Sequence, residues 1–128
     1  MSYIYLASPY SHPEADRREK RFKQVCECAA YYMHRGEHIF SPIAHSHPIA
    51  LAGDLPKHFD YWADYDRVML RHAKALWILI IEGWLQSEGV KQEVLLAKEF
   101  GIPVYLVVPD LEKGNYQLED WSNDDKDK

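Results

Sequence analysis

The sequence predicts a single α/β domain, in which helices cover both faces of a mostly parallel sheet of four to five strands. Short apolar runs alternate along the chain with segments of helical periodicity, which is typical of α/β domains. The apolar runs are continuous, as expected for parallel strands that are covered on both faces. The 128 residues fit one domain of ordinary size and leave no room for a second. We therefore expect a three-layer α/β/α arrangement.

The first half of the chain predicts two strands around one long helix. Residues 3–7 form an apolar run that ends at Ser-Pro, which indicates a buried strand stopped by a loop. Residues 13–35 place apolar side chains at three- and four-residue spacing, and Gly36 is a suitable helix terminator. Residues 37–40 predict a second short strand. Residues 41–56 are rich in His, Pro and small side chains and predict a long loop.

The second half continues the alternation of helices and strands. A helix is expected over residues 57–72, followed by the strongest strand of the chain at residues 75–81. A further helix over residues 87–100 ends at Gly-Ile-Pro and leads into a strand at residues 104–108. A short final strand is predicted at residues 115–118. Right-handed crossovers between such parallel strands give a flavodoxin-like or Rossmann-like domain.

The charge distribution limits the partners that we expect. Residues 119–128 contain five acids and two lysines, which predicts an acidic, disordered tail after a domain of residues 1–118. The formal net charge of -5 argues against a nucleic-acid polymer or an anionic membrane as partner. No apolar run is long enough to span a membrane and the N-terminus lacks a signal-peptide pattern, so we expect a cytoplasmic protein.

Metals and cofactors are not expected. Cys26 and Cys28 would point to different faces of a helix, which argues against a disulfide or a thiolate metal site. His45 and His47 would share a face in an extended segment, but no cysteine or carboxylate follows at a recognisable zinc-ligand spacing. We interpret them as histidines of a polar loop.

Two carboxylates fall on helix faces that should be buried. In the last predicted helix, Glu93 lies in the apolar stripe of Val90 and Val94, and Asp66 lies in the stripe of the helix before it. A buried carboxylate is costly unless it is paired, hydrogen-bonded or open to a cleft. The helix dipole could favour Glu93, and Asp66 could pair with Arg67 or Arg71. Because both residues flank one strand whose end opens onto a Ser/Gly turn, we favour a functional site.

The turn that follows the strongest strand predicts a seat for an anion or a sugar hydroxyl. Residues 83–89 place Ser87 at a helix N-cap with free backbone N–H groups behind it, and Gly89 belongs to the same binding turn. The turn lacks the Walker Gly-Lys-Ser and the Gly-x-Gly-x-x-Gly pattern, so neither ATP nor NAD binding is indicated. Trp84 and Tyr10 could stack on a bound base, or pack in the core or at the rim.

Three stretches of the sequence carry a resemblance to a known family. They are Tyr-Ile-Tyr-Leu-Ala-Ser-Pro-Tyr at residues 3–10, residues 66–76, and Gly-Trp-x-x-Ser-x-Gly-Val-x-x-Glu at residues 83–93 with the Gly-Ile-Pro that follows. They resemble the nucleoside 2-deoxyribosyltransferase family, and its small branch most closely, over most of residues 1–110. The 2′-deoxynucleoside 5′-phosphate N-hydrolases are relatives with a similar Ser-x-Gly-x-x-x-Glu element.

The resemblance implies cleavage or transfer at an N-glycosidic bond. In that family a glutamate attacks the anomeric carbon and displaces the base, a role that matches Glu93. A proton-donating aspartate matches Asp66, and a first-strand tyrosine that positions the nucleophile matches Tyr5. The chemistry suits these residues, because a carboxylate near C1′ stabilises or captures an oxocarbenium ion and a protonated carboxyl can protonate the leaving base.

The resemblance also implies that the ligand carries a phosphate group. Ser87 stands where the phosphate-binding hydrolases carry a serine, which favours a 5′-phosphorylated ligand with Ser8 and Ser87 as phosphate contacts. Arg17 or Arg18, in the charged run of the first helix, could reach such a phosphate.

Three classes of function stay open. The first is an enzyme that acts on the N-glycosidic bond of a nucleoside or nucleotide, and the second is a non-catalytic nucleotide-sensing module on the same scaffold. The third is a structural domain with a degenerate pocket. Relatives usually assemble as homo-oligomers, so a homo-oligomer is expected, and Tyr31, Tyr32 and Tyr61 are compatible with an exposed interface.

Overall fold

A computed structural model describes residues 2–56 and 59–121 and has the predicted α/β class. The strands and helices of these residues follow one another in this order: β1 Ile4–Ala7, α1 Ala15–Met33, β2 Ile39–Phe40, α2 Pro42–Gly53, α3 Phe59–Arg71, β3 Ala75–Leu79, α4 Glu88–Phe100, β4 Val104–Asp110 and β5 Asn115–Asp120. Within these two ranges no helix has both the length and the apolar character that crossing a membrane requires.

The strands form one five-stranded, mostly parallel sheet. Their order is β2-β1-β3-β4-β5, with β1 to β4 parallel and β5 antiparallel to β4. β1 lies between β2 and β3, with Tyr5 opposite Phe40 on one side and Leu76 on the other. The carboxyl ends of the parallel strands therefore meet at one edge of the sheet, where ligands of such sheets bind.

The two faces of the sheet support two core clusters. One cluster joins α1 to alternate strand residues and contains Ile4, Leu6, Val25, Cys28, Trp77 and Leu79. The other joins α3 and α4 to the remaining strand residues and contains Tyr5, Ala7, Leu70, Leu76, Ile78, Val90 and Val94. Because successive side chains of a strand point to opposite faces, Tyr5 is directed towards α3 and α4.

The long loop predicted over residues 41–56 is wrong, because most of it forms helix α2. Ser41 is the N-cap, and its Oγ accepts a hydrogen bond of 3.0 Å from the backbone N–H of Ala44. Pro42 occupies the first turn, where its missing N–H removes no helical hydrogen bond. The histidines and Pro48 of this segment are poor helix formers, so local composition concealed a helix that capping and packing stabilise.

The ordered domain extends beyond the predicted boundary at residue 118. Strand β5 continues to Asp120, and the Trp121 ring packs edge-on against Trp84 with ring centroids 6.3 Å apart. Residues 119–121 thus belong to the sheet edge and its packing, not to a tail. The rest of the predicted acidic tail, residues 122–128, lies outside the described residues.

One of the tyrosines expected at an exposed interface is in the core. Tyr32 is 8% exposed and packs edge-on against Trp77 at 4.8 Å, and Tyr31 is half-buried. The prediction of an exposed Tyr32 is therefore wrong, because α1 turns this side chain towards the sheet. Tyr61 on α3 is 49% exposed, as expected.

Candidate active site

A cavity of about 560 Å³ opens at the carboxyl ends of β1 and β3. The turns after these strands and the helices α1 to α4 contribute its walls. Most of the residues predicted from the sequence to form the site line this cavity: Ser8, Tyr10, Asp66, Ser87, Gly89 and Glu93. The cavity lies where the parallel α/β architecture places ligands.

Glu93 is held in the buried wall of the cavity by Tyr5. It lies on the inward stripe of α4, between the buried Val90 and Ala97, and is 5% exposed. The Tyr5 hydroxyl donates a hydrogen bond of 2.5 Å to Glu93 Oε2. Since Tyr5 is itself fully buried on β1, this contact fixes the carboxylate relative to the sheet.

Asp66 brings a second buried carboxyl to the same cavity from α3. It is 9% exposed, and its Oδ1 has no hydrogen-bond partner among the described residues. The neighbouring Arg67 does not neutralise it, because the Arg67 guanidinium pairs with Glu99 at 3.3 Å. Ser8 Oγ, at the end of β1, is likewise buried and unpaired within the described ranges. Unsatisfied buried polar atoms are uncommon in folded proteins, and two in one cavity indicate a place for polar ligand groups.

Burial shifts the acidity of both carboxyls. It raises the pKa of Glu93 to about 8, with Asp66 adding to the rise and the Tyr5 hydrogen bond opposing it. It also raises the pKa of Asp66 to about 7. Both shifts favour the protonated carboxyl, so the pair holds protons at neutral pH that ordinary surface carboxyls have lost. One cavity can therefore offer both a carboxylate and a carboxylic acid.

Arg17 and Arg21 of α1 also line the cavity, and we call this pair the basic rim. Arg17 Nη1 pairs with Glu82 Oε1 at 2.9 Å, and Arg21 Nη1 donates to the Ser11 carbonyl at 2.9 Å. Arg18, the alternative predicted phosphate contact, instead donates to the His12 carbonyl. Sequence reasoning missed Arg21, although a position four residues after Arg17 lies on the same helix face.

The turn after β3 has the predicted capping geometry. Ser87 is the N-cap of α4, and its Oγ accepts a hydrogen bond of 3.1 Å from the Val90 N–H. Its own hydroxyl hydrogen remains able to donate to a ligand. Gly83 of the same turn has φ +92°, and the Arg21 guanidinium lies against it so closely that a Cβ at Gly83 would collide with it. The turn is thus in close contact with Arg21 of the basic rim.

Of the two aromatic residues that could stack on a base, only Tyr10 lines the cavity. Trp84 is outside the cavity lining and packs against one core cluster and Trp121, so it is a packing residue in this fold. Tyr10 lines the cavity, but its hydroxyl lies 2.5 Å from His47 Nδ1. The packing of Trp84 involves Trp121, the residue that follows β5.

Helix α2 supplies a histidine that the sequence interpretation did not place in the site. His47 is 7% exposed, lines the cavity and lies with its ring 4.3 Å from that of Phe22. Its Nε2 is 3.0 Å from Glu19 Oε1. Nothing in the sequence pattern could select His47 once residues 41–56 were interpreted as a loop.

His45, the other histidine of the predicted pair, does not line the cavity. His45 stacks on Tyr65 with ring centroids 5.1 Å apart, and its Nε2 is 3.2 Å from the Tyr65 hydroxyl. His58 lies outside the described residues. Within residues 2–56 and 59–121, no three His, Cys, Asp or Glu side chains are grouped as ligands of a metal ion.

Comparison with known proteins places the chain in one family. No curated protein matches the sequence. A family model described as a domain of unknown function, DUF1937, matches residues 2–108. The match extends from β1 into β4 and includes Tyr5, Asp66 and Glu93. The chain therefore belongs to the DUF1937 family, a domain of unknown function.

Proposed function

We propose that the cavity binds a nucleoside or a nucleoside 5′-monophosphate and cleaves or transfers its N-glycosidic bond, with Glu93 as the nucleophile. The observation that supports this proposal most is the pair of buried carboxyls on facing helices, one held by a tyrosine hydroxyl and the other with an unpaired oxygen in the described structure. Such a pair is costly to bury and has no role in packing. It suits a reaction that develops positive charge on a sugar.

In the first step, a carboxylate oxygen of Glu93 bonds to the anomeric carbon C1′, and the bond from C1′ to the base nitrogen breaks. The base leaves with the electron pair of that bond and takes the proton of Asp66. The sugar remains as an ester on Glu93. In the second step, a hydroxyl of water or of an acceptor attacks C1′, and Glu93 leaves as a carboxylate.

The hydrogen bond from Tyr5 supports this division of roles. A hydroxyl that donates to a carboxylate favours its ionised form, and this bond opposes the effect of burial on the pKa of Glu93. The division of roles rests on this contact and not on the two pKa values, because burial raises the pKa of Glu93 to about 8 and that of Asp66 to about 7. With a pKa of about 7, Asp66 is protonated in a substantial fraction of the molecules near neutral pH and can protonate a leaving base. Tyr5 acts as a positioning residue, because it orients Glu93.

The basic rim and the start of α4 suit an anionic group on the ligand. Arg17 and Arg21 bring two guanidinium groups to the rim, and Ser87 precedes the backbone N–H groups at the start of α4. Guanidinium groups and helix N-termini are common phosphate ligands. We propose that these groups bind the 5′-phosphate while the carboxyls face C1′.

We further propose that the scaffold is a flavodoxin-like, three-layer α/β/α domain. The strand order β2-β1-β3-β4-β5 supports this assignment, with β5 as an antiparallel edge. In this order the chain direction across the sheet reverses between β1 and β3. Ligands of such sheets bind outside that point, where the cavity lies.

We also propose that the chain forms a homo-oligomer. Support comes from an exposed apolar stripe on α3, where Tyr61, Tyr65 and Val68 are 49%, 43% and 57% exposed. Aromatic side chains are enriched at protein interfaces. Sedimentation of the purified chain at several concentrations tests this proposal, and a monomer at all concentrations would contradict it.

The decisive experiment measures release of free base. The protein is incubated with dAMP, dGMP, dCMP and dTMP, with the corresponding ribonucleotides and with the unphosphorylated nucleosides, and free base is followed by chromatography. The same panel is run with Glu93→Gln, which can still accept a hydrogen bond from Tyr5 but is a poor nucleophile. Glu99→Gln is the matched control, since Glu99 lies on the same helix and is exposed.

We expect base release by the wild type and by Glu99→Gln, and a loss of about 1000-fold or more in Glu93→Gln. If wild type and Glu93→Gln release base equally slowly while calorimetry shows that both bind a nucleotide, the chain is a nucleotide-binding module and the proposed activity is wrong. If calorimetry detects no binding to any member of the panel, the proposed function is wrong and the chain is a structural domain with a degenerate pocket.

A further inference from the structure

A chain of three hydrogen-bonded side chains connects the cavity to the surface. Tyr10 Oη lies 2.5 Å from His47 Nδ1, and His47 Nε2 lies 3.0 Å from Glu19 Oε1. Tyr10 and His47 line the cavity, whereas the Glu19 side chain is 48% exposed. Residues from the β1 loop, α2 and α1 are therefore aligned from the ligand space to solvent, a pattern that packing alone does not require.

The donors and acceptors of this chain define its direction. An ionised Glu19 carboxylate can only accept, so the hydrogen of the neutral His47 ring lies on Nε2 and its Nδ1 carries a lone pair. The Tyr10 hydroxyl then donates to Nδ1. This is the order of a carboxylate, an imidazole and a hydroxyl in hydrolases that activate an oxygen nucleophile.

The surrounding side chains hold Tyr10 and His47 in place. Burial raises the pKa of Tyr10, the Arg18 guanidinium beside its hydroxyl opposes the rise and Glu19 adds to it, so Tyr10 stays protonated and can pass on a proton only as it receives one. The His47 ring is held between Phe22, at 4.3 Å, and the edge of Tyr10, at 5.4 Å. The imidazole is thus fixed in position and does not have to be ordered by a ligand.

We propose that Tyr10, His47 and Glu19 form a proton relay that activates the hydroxyl of water or of an acceptor in the second step of the reaction. This inference rests on the proposed function, because it assumes a glycosyl ester on Glu93. It assigns the first step to Glu93 and Asp66 and the second to a separate base in the same cavity. Tyr10 would touch the attacking oxygen, and His47 and Glu19 would act through it as positioning and proton-accepting residues.

The protons and electrons of this step balance. The attacking oxygen bonds to C1′ as the bond from C1′ to Glu93 breaks, and its proton moves to Tyr10 Oη while the Tyr10 proton moves to His47 Nδ1. The imidazolium is stabilised by Glu19 and, once the product has left, returns its Nδ1 proton through Tyr10 to water in the cavity, which restores the starting tautomer. Asp66, which gave its proton to the base, takes one from solvent. No oxidant, reductant or metal ion is required.

The test separates the two steps by rapid quenching. Wild type and Tyr10→Phe are mixed with the deoxynucleoside monophosphate of the panel that the wild type cleaves best, and free base and free sugar phosphate are measured over time. Tyr10→Phe keeps the ring and removes only the hydroxyl. Glu19→Gln removes the surface charge of the relay at a position whose side chain is 48% exposed.

We expect Tyr10→Phe to release one base per chain at the wild-type rate and then to turn over about 100-fold more slowly. Mass spectrometry should find the sugar phosphate on the peptide that contains Glu93. Azide, an anion that needs no deprotonation, should restore turnover in Tyr10→Phe as a glycosyl azide. Glu19→Gln should give the same pattern with a smaller loss, about 10-fold.

The chain contains a matched control. Tyr65 and His45 form a similar hydrogen-bonded pair on α3 and α2, and neither residue lines the cavity. Tyr65→Phe should leave the burst and the turnover unchanged. Two results would overturn the relay: equal slowing of the burst and of turnover in Tyr10→Phe, or turnover of Tyr10→Phe within twofold of the wild type. In either case, release of base by the wild type would still support the proposed function. Failure of the wild type to release any base would overturn both.

Discussion

The Tyr5 hydroxyl and the Glu93 carboxylate meet at 2.5 Å between strand β1 and helix α4. Tyr5 is fully buried and Glu93 nearly so, so this contact is the polar link between the sheet and a helix that otherwise packs through apolar residues. A hydrogen bond of this kind in a low-dielectric site is strong and its loss leaves a buried carboxyl unsupported. The charge state of Glu93 therefore depends on Tyr5.

Tyr5→Phe should impair base release by changing the acidity of Glu93. Burial and Asp66 both raise the pKa of Glu93, and the Tyr5 hydrogen bond lowers it, so removing the hydroxyl raises that pKa further. Less Glu93 is then ionised at neutral pH. We expect base release at pH 7 to fall by about 10-fold or more, and the acid limb of its pH profile to move to higher pH.

Tyr3→Phe is the control for this prediction. Tyr3 stands two residues before Tyr5, and its hydroxyl donates to the Met69 carbonyl, away from the cavity. Its pH profile should match that of the wild type. An unshifted acid limb in Tyr5→Phe would contradict a role of Tyr5 in setting the ionisation of Glu93.

Glu93→Gln should make the protein more stable at alkaline pH. Folding raises the pKa of Glu93 to about 8, whereas the carboxyl of an unfolded chain titrates near 4, so the folded chain binds more protons between these values. Stability from this source is fully present below about pH 4 and is lost as the pH rises through about 8. The slope is about 1.4 kcal/mol per pH unit for one carboxyl at most.

Thermal unfolding at pH 5 and pH 8 tests whether the stability contributed by Glu93 falls as the pH rises. The amide that replaces the carboxyl in Glu93→Gln has no proton to lose, so the gain in Tm of this variant over wild type should be larger at pH 8 than at pH 5. Glu99→Gln, at a surface position on the same helix, should show no such difference. Equal Tm differences at both pH values would mean that Glu93 is ionised in the folded chain throughout this range.

Gly83→Ala should weaken recognition of the phosphate. A Cβ at this position would collide with the Arg21 guanidinium, so Arg21 must leave its place at the rim of the cavity. We expect the affinity for a nucleoside monophosphate, measured by calorimetry, to fall about 10-fold, with a much smaller change for the nucleoside. Arg21→Gln should likewise lower the affinity for the monophosphate more than the affinity for the nucleoside, without straining the turn.

Gly36→Ala separates this effect from backbone strain. Gly36 and Gly83 have nearly equal φ angles, +90° and +92°, but a Cβ at Gly36 would meet no described atom within 4 Å. Both substitutions should destabilise the fold by about 1 kcal/mol, because positive φ disfavours residues other than glycine. Only Gly83→Ala should change nucleotide affinity. Equal affinities of the two variants, together with an unchanged affinity of Arg21→Gln, would exclude Arg21 as a phosphate ligand.

The predictable part of the site follows from helical periodicity. Glu93 and Asp66 interrupt apolar stripes at fixed spacing, so the sequence alone predicts their burial, and the structure places both in one cavity. The continuous apolar runs likewise indicated the parallel sheet. Arg21 was within reach of the same reasoning, since it shares a face of α1 with Arg17.

The unpredictable part depends on contacts between distant segments. Helix α2 contains three histidine or serine residues and two prolines among its first seven residues, so its composition resembles a loop, and without α2 the contacts of His47 with Tyr10 and Glu19 have no basis in the sequence. Trp84 could be placed only after β5 brought Trp121 beside it. Tertiary packing decided both outcomes.

Ser41→Ala tests how much helix α2 depends on its cap. The Ser41 hydroxyl is the N-cap that accepts from the Ala44 N–H, and Pro48 inside α2 lacks the N–H that would add a helical hydrogen bond to the first half of the helix. We expect a loss of about 1 kcal/mol in the free energy of unfolding, which lowers Tm by roughly 4 °C. Hydrogen exchange should accelerate at Ala44 and through the first turn of α2.

The same substitution should also affect the cavity, because α2 forms one of its walls through Ile43, Ser46 and His47. Fraying of the first turn loosens this wall, so nucleotide affinity should fall together with stability. Ser41→Thr, which keeps a capping hydroxyl, should retain most of both. If Ser41→Ala lowered Tm without accelerating exchange in α2, the loss would come from the buried site of Ser41 rather than from the cap, and the affinity should then stay unchanged.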